Sequence, residues 1–115
     1  MKTKYEQSSA MVKHLVMWRL RAAENGERAE QLASIARAIE AMRNGIHGLQ
    51  RVELGRDQSQ VSDSADLVLY CEFDSWAALQ AYETHPLHEQ LKRLIGPLRV
   101  ERRVVDYETS MTLDA

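Results

Sequence analysis

The side chains in this sequence that could carry acid–base chemistry are histidines and one tyrosine. Residues 85–88 read His-Pro-Leu-His, and Tyr82 lies three residues before this segment. A third histidine, His14, stands in an apolar segment near the start of the chain. A neutral imidazole can accept a proton near pH 7, and a phenol can donate a hydrogen bond to a substrate carbonyl. If His14, Tyr82 and His88 converge in an apolar cleft, they form a candidate ligand-binding or catalytic site.

His88 is the strongest candidate for a general base. Pro86 is suited to the first turn of a helix, which places His88 in that turn. The positive end of the helix dipole and any burial both disfavour the imidazolium form there. Two other interpretations stay open: His88 contacts a small ligand without catalysis, or His85 and His88 cap the helix start and bind water.

His14 and Tyr82 each have a structural and a functional interpretation. A histidine among Val12, Val16 and Trp18 is often hydrogen-bonded within the core, yet a cleft beside the sheet would expose it to ligand. Tyr82 recurs with Trp76 and Leu79 at helical spacing and could be a core aromatic residue or a hydrogen-bond donor. Trp18 and Trp76 are candidates for the core or for the cleft lining.

Composition excludes several other classes of site. The 115 residues include 15 basic and 17 acidic side chains, and this balance argues against a nucleic-acid or membrane-surface partner. The single cysteine, Cys71, is expected to be a buried small hydrophobe, and it excludes an intramolecular disulfide or a multi-thiolate metal site. His85, His88 and Glu89 lack an indicated further ligand, so no metal site is predicted. No cofactor is predicted either.

The pattern of apolar residues predicts the elements that must position these side chains. The predicted strands are Val12–Leu20, Leu49–Arg56, 66–73 and 98–107, and the predicted helices are 27–43, 76–84 and Pro86–Ile95. Asn25 is the expected N-cap of the first helix, Gly45 its left-handed C-terminal residue, and Ser75 the cap of the second helix. This order predicts an α+β, ferredoxin-like βαββαβ protomer with a four-stranded antiparallel sheet and helices on one face.

Two of the predicted strands are apolar on both faces, which a sheet covered by helices on one side does not require. In the segment 66–73, Val68 and Tyr70 alternate with Leu67 and Leu69. A second copy of the same sheet would cover this surface, so we expect a homodimer whose sheets pack face to face. Arg102 and Arg103, together with Glu101, are expected to be edge charges or dimer contacts and not an anion site.

The length predicts one folded domain. We expect residues 1–10 to be a flexible N-terminal extension, residues 11–108 the domain, and residues 109–115 a C-terminal tail. An uninterrupted apolar stretch typical of a signal peptide or a membrane span is not found, and a cytoplasmic location is expected.

The segments VKHLVMWRL, LVLYCEFDSWAALQAYETHPLH and RRVVDYE resemble those of the stress-responsive dimeric α/β-barrel (Dabb) family. The resemblance rests on the first-strand histidine, the tyrosine before His-Pro-x-His and the terminal Asp-Tyr, and it covers about residues 11–108. It implies a ferredoxin-like protomer, a dimeric α/β barrel and a cleft between sheet and helices in each protomer.

Some plant proteins of this family are cofactor-independent polyketide cyclases that use cleft histidines and tyrosines as acid and base. His14, Tyr82 and His88 match three of their residues, and the resemblance assigns His88 the role of general base. Their third-strand histidine falls at about Leu67 here and their first-helix tyrosine near Ala36. These two departures argue against polyketide cyclisation and leave another proton-transfer reaction open.

Three hypotheses follow. The first is a stress-responsive homodimer that binds a small apolar or aromatic molecule. The second is a cofactor-independent cyclase, lyase or isomerase with His88 as base and Tyr82 and His14 as hydrogen-bond donors. The third is a purely structural stress protein with a filled barrel. The candidate ligand-binding residues are His14, Trp18, Trp76, Tyr82, His85 and His88.

Overall fold

The computed structural model describes residues 11–108, so the predicted N-terminal extension (1–10) and C-terminal tail (109–115) lie outside the described residues. The strands are β1 (Val12–Leu20), β2 (Leu49–Arg56), β3 (Leu67–Phe73) and β4 (Arg99–Glu108). The helices are α1 (Asn25–Arg43), α2 (Trp76–Glu83) and α3 (Pro86–Ile95). The predicted elements are therefore present in the predicted order, and their ends differ by at most two residues.

The sheet has the strand order β2-β3-β1-β4, and every neighbouring pair is antiparallel. This arrangement confirms the predicted ferredoxin-like fold. The central strand β1 pairs with β3 on one side and β4 on the other, so that His14 lies opposite Cys71 and opposite Asp106. Three residues from three strands thus share one row across the sheet.

The hydrophobic core lies between the sheet and the helices. Alternate residues of β1 and β3 are buried there, including Val12, Val16 and Leu69. Helix α1 buries Ile35, Ile39 and Met42, which recur on one helix face. Cys71 is fully buried, and this burial raises the pKa of its thiol to about 12, so it is a small core residue as predicted. None of the helices in residues 11–108 is long and apolar enough to cross a membrane.

The opposite sheet face is open and partly apolar. Met17 of β1 and Val105 and Tyr107 of β4 are large hydrophobic residues exposed on this face. Val68 and Tyr70 of β3 are half-buried beside them. We call this surface, formed by Met17, Val68, Tyr70, Val105 and Tyr107, the open sheet face.

Both predicted ends of α1 were wrong in detail. The helix already includes Asn25, because the extended residue is Glu24 (φ −72°, ψ 159°), and no side chain caps it. The glycine with positive φ is Gly48 (φ +85°) instead of Gly45. Gly45 is instead required by space, since an added Cβ would lie 2.8 Å from the Ala41 carbonyl oxygen and 2.5 Å from Leu87 Cδ1.

The other two helices begin with side-chain caps. Ser75 accepts a hydrogen bond from the Ala78 amide, as its predicted role as cap requires. His85 precedes Pro86 and accepts a hydrogen bond from the Leu87 amide at 3.0 Å. The two caps and Pro86 set the start of α2 and α3, and thus the positions of Tyr82 and His88.

We predict that Gly48→Ala lowers the free energy of unfolding by about 2–4 kcal/mol, through left-handed strain and steric overlap. A Cβ at Gly48 would lie 2.6 Å from the Ala78 Cβ. Gly26→Ala is the matched control, because Gly26 lies in α1 with nothing within 4 Å of an added Cβ. The control should leave stability unchanged or raise it by up to about 1 kcal/mol. Urea unfolding followed by circular dichroism measures both, and equal stabilities would contradict the prediction.

Candidate functional site

A cleft of about 390 Å³ opens between the sheet and helices α2 and α3. Its size falls within the usual range of small-molecule sites. Its apolar wall consists of Val16, Trp18, Leu69, Leu91 and Ile95. Its polar or charged side chains are Tyr82, Glu83, His88, Lys92, Arg99 and Arg102, and the backbone of Gly96 completes the lining. The cleft thus combines an apolar wall with a few polar groups.

The Tyr82 side chain is fully buried at the wall of this cleft, and among the described residues its hydroxyl has no hydrogen-bond partner. Burial raises the pKa of Tyr82 well above its ordinary value, so the phenol stays neutral and keeps its proton. A buried hydroxyl without a partner carries a desolvation cost. A ligand atom that accepts its hydrogen bond would remove that cost.

His88 stacks on the ring of Tyr82, with 4.0 Å between the ring centroids and 26° between the planes. The His88 Nδ1–H donates to the Glu83 carbonyl oxygen at 3.2 Å. In the neutral imidazole this bond leaves Nε2 unprotonated and free to accept a proton. Burial lowers the pKa of His88, the nearby Lys92 charge acts in the same direction, and the bond to Glu83 opposes both. The result is a neutral base near pH 7.

His14 lies behind Tyr82 and is not among the residues that line the cleft. Its ring meets the Tyr82 ring edge to face, with 5.5 Å between centroids. The His14 Nδ1–H donates to Asp106 Oδ1 at 2.5 Å, across the β1–β4 pair. This bond fixes the orientation of the imidazole, which is 5% exposed.

The sequence analysis missed Asp106 as a partner of His14. One general rule pointed to such a partner, because a histidine buried in the core needs a hydrogen bond. The terminal Asp-Tyr pair is recognisable as a motif, but the register that places Asp106 opposite His14 depends on the pairing of strands 92 residues apart. Local spacing does not contain that register.

Three of the six candidate ligand-binding residues do not line the cleft: His14, which lies behind Tyr82, and Trp76 and His85, which lie elsewhere. Trp76 is partly buried and packs on the core near the start of α2. His85 lines a separate cavity with His47 and Asp74, and its Nδ1 is used as the cap of α3. Among the described residues, no three histidine, cysteine or acidic side chains group in a way that could hold a metal ion.

The sequence predicts Arg102 and Arg103 to be edge charges or dimer contacts; β4 is an edge strand of the sheet, and its two arginines lie on opposite faces. Arg103 lies on the open side of β4 and forms an ion pair with Glu101 at 3.3 Å. Arg102 lies opposite Trp18 in β1 and lines the cleft. Successive side chains of a strand point to opposite faces, and only one of the two arginines therefore reaches the site.

The fold and the cleft define a ferredoxin-like α+β protein with a partly apolar site between its sheet and its helices. A model of the stress responsive A/B barrel domain family, Dabb, matches residues 12–109. The chain therefore belongs to the Dabb family, as the resemblance of its motifs had indicated.

Solved structures with this fold include dimers and one enzyme. A dimeric ferredoxin-like protein of unknown function from Bacteroides fragilis is 31% identical, with 85% of this chain and 95% of that chain covered and a TM-score of 0.76. A Dabb family protein from Mesorhizobium loti is 24% identical (91% and 99% covered, TM-score 0.69). The hydroxynitrile lyase of Passiflora edulis is 16% identical (93% and 100% covered, TM-score 0.76). A search of curated proteins gave no match.

We predict that Tyr82→Phe raises the free energy of unfolding by about 1 kcal/mol, because it removes a buried hydroxyl that has no partner among the described residues. Tyr70→Phe is the control, since the Tyr70 hydroxyl donates to Glu72 Oε2 at 2.7 Å and its loss should not stabilise the protein. Chemical unfolding at pH 7 measures both variants. A loss of stability in Tyr82→Phe would show that the hydroxyl has a partner.

We predict that His88 titrates below the ordinary histidine pKa of 6.5 in the folded protein. The unfolded state then binds the proton more tightly than the folded state does. The contribution of His88 to the free energy of unfolding therefore decreases as the pH falls from 6.5 through the folded pKa. NMR titration of the histidine ring protons measures the pKa, with His88→Gln assigning the signal. The wild type should also lose more stability than His88→Gln between about pH 7.5 and 5. A folded pKa at or above 6.5 would contradict the prediction.

Proposed function

We propose that the chain forms a homodimer and binds a small, mainly apolar or aromatic molecule in the cleft of each protomer. The observation that carries this proposal is the buried Tyr82 side chain, which lines a cleft of about 390 Å³ and whose hydroxyl has no hydrogen-bond partner among the described residues. In a purely structural protein with a filled interior, we would expect neither an open cleft of this size nor a buried hydroxyl without a partner.

The cleft residues suggest how such a ligand would be held. Trp18 contributes to the apolar wall, and the Tyr82 hydroxyl is available to donate a hydrogen bond. His88 Nε2 accepts one, because its Nδ1–H is already bonded to Glu83. A compact ligand with a hydrogen-bond acceptor that faces Tyr82 would satisfy the phenol, and a donor elsewhere on the ligand would bond to His88 Nε2.

Two observations support the homodimer. The open sheet face holds a row of exposed or half-buried apolar side chains that helices do not cover. The Bacteroides fragilis relative, at 31% identity, is a dimer. The cleft lies on the other side of the sheet, so that face-to-face packing of two open sheet faces leaves it accessible.

We expect a molar mass of twice the 13.2 kDa chain in size-exclusion chromatography with light scattering. Val105→Lys should shift the protein toward the monomer, because it places a charge in the apolar interface. Val61→Lys is the control, as Val61 is also exposed but lies outside the open sheet face. A monomeric wild-type protein at micromolar concentration would contradict the dimer.

We expect the neutral aromatic amide 2-naphthamide to bind, as measured by isothermal titration calorimetry, and to shift the backbone NMR signals of Trp18 and His88. Loss of the Tyr82 hydroxyl in Tyr82→Phe should weaken binding about three- to tenfold, which corresponds to one hydrogen bond. Tyr70→Phe should bind like the wild type. Shifts confined to residues outside the cleft, or no effect of Tyr82→Phe, would contradict the proposed site.

A second candidate function is a cofactor-independent lyase, favoured by the fixed tautomer of His88. Its Nε2 would take the proton of an α-hydroxyl group, the carbon–carbon bond would break to give a carbonyl, and the leaving carbanion would take the proton back from the imidazolium. The Passiflora edulis neighbour is a hydroxynitrile lyase, for which the leaving group would be cyanide.

Release of benzaldehyde from mandelonitrile, followed by absorbance, tests this candidate. His88→Gln should lower kcat by at least about a hundredfold, the range for loss of a general base. The same variant should change the affinity for 2-naphthamide far less. Turnover that is unaffected by His88→Gln, or absent from the wild type, would exclude this lyase reaction and leave the binding function in place.

A further inference from the structure

We propose that the ligand of the cleft is a carboxylate with a compact apolar body, and that Arg99 and Arg102 bind its carboxylate group. This inference rests on the proposed binding function and names the class of molecule that the same site selects. It replaces the sequence-based expectation that Arg102 is an edge charge.

The first observation is the charge that lines the cleft. Its ionisable residues include three cationic side chains, Lys92, Arg99 and Arg102, and one acidic side chain, Glu83. Lys92 is already paired, with its Nζ 2.8 Å from Glu89 Oε1. For the guanidinium groups of Arg99 and Arg102, the structure of residues 11–108 shows no hydrogen bond or ion pair within the protein. The cleft therefore has two cationic groups available to an anion.

The second observation is the irregularity that brings these two arginines to the same side. Residues three apart in a regular strand lie on opposite faces of the sheet. In β4 the register shifts where Arg19 and Leu20 of β1 pair with it, so that Arg102 lies opposite Trp18 and Arg99 opposite Leu20. Trp18 and Leu20 share the face that is covered by helices, and both arginines therefore line the cleft.

The third observation is the contrast with the other face of the same strand. There, Glu101 forms ion pairs with both Arg103 and Arg19, at 3.3 Å and 3.4 Å. On the helix-covered side, β4 has two acidic residues, Asp106, whose carboxylate is engaged by His14, and Glu108 at the end of the strand, and neither of them lines the cleft. Beside the cleft, then, β4 has cationic side chains without the acidic partner that the open side has.

The charge of Arg102 also acts at the floor of the cleft. Its guanidinium opposes the effect of burial on the pKa of Tyr82, which places the positive charge within electrostatic reach of the phenol. The planar guanidinium fork matches the two oxygens of a carboxylate, and the Tyr82 hydroxyl can donate to the same group. Because the whole chain has a net charge of −2, this positive potential is local to the cleft.

Three probes with the same aromatic body test the inference: 2-naphthoate, 2-naphthamide and 2-naphthylmethylammonium, titrated calorimetrically at about pH 7.5 and low salt, where surface charges are least screened. We expect 2-naphthoate to bind about tenfold more tightly than 2-naphthamide, because its hydrogen bonds to the arginines are charge-assisted. We expect 2-naphthylmethylammonium to bind most weakly, because the two arginines repel its charge. Higher salt should weaken only the binding of 2-naphthoate appreciably.

The double variant Arg99→Gln/Arg102→Gln should lower the affinity for 2-naphthoate about tenfold. Its affinity for 2-naphthamide should stay within about twofold of the wild-type value, since the apolar wall and Tyr82 are retained. Both residues are exposed, and circular dichroism with thermal unfolding checks that the variant folds. Arg103→Gln, on the opposite face of β4, is the control for a general change in protein charge.

The outcomes separate this inference from the proposed function. Equal affinities for 2-naphthoate and 2-naphthamide, or an equal loss in Arg103→Gln, would overturn the carboxylate preference and leave the apolar cleft as the binding site. Failure of all three probes to bind at millimolar concentration would overturn both proposals.

Discussion

The alternation of side chains along β1 is the constraint on which the rest of the structure depends. As the central strand, β1 sends His14, Val16 and Trp18 to the helices and Leu15 and Met17 to the open sheet face. A shift of one residue would exchange the two sets. The same strand thus builds the core, one wall of the cleft and the surface that we propose for dimerisation.

The properties of Tyr82 and His88 depend on the packing of aromatic rings around them. Phe73, Tyr82 and His88 form a continuous group of rings, with centroids 4.9 Å apart in the first pair and 4.0 Å in the second. This packing buries the Tyr82 hydroxyl and desolvates the His88 imidazole. A neutral donor and a neutral acceptor therefore lie side by side at the cleft.

The two faces of β4 show how one strand serves two surfaces. On the open side its arginine is neutralised by a neighbouring glutamate, which suits a surface that packs against another sheet. On the cleft side its arginines keep their charge available. Regular alternation places Arg102 and Arg103 on opposite faces, and the register shift brings Arg99 to the same face as Arg102.

Much of the fold was predictable from local sequence. The strand and helix patterns, the Ser75 cap and the position of Pro86 all depend on neighbours within a few residues, and the structure confirms them. The C-terminal side of α1 was harder to predict, because the glycine with positive φ is Gly48, where an added Cβ would overlap Ala78 of α2.

The sequence by itself determined which residue types are available: the histidines, Tyr82, and strands with two apolar faces. Only the tertiary structure decided which of them meet. It joined His14 to Asp106, placed Tyr82 against His88 within one cleft, left His85 outside it and brought Arg102 inside. The physical reason is that strand register and helix docking link residues far apart in the chain, and these are decided by burial over the whole fold and not by local spacing.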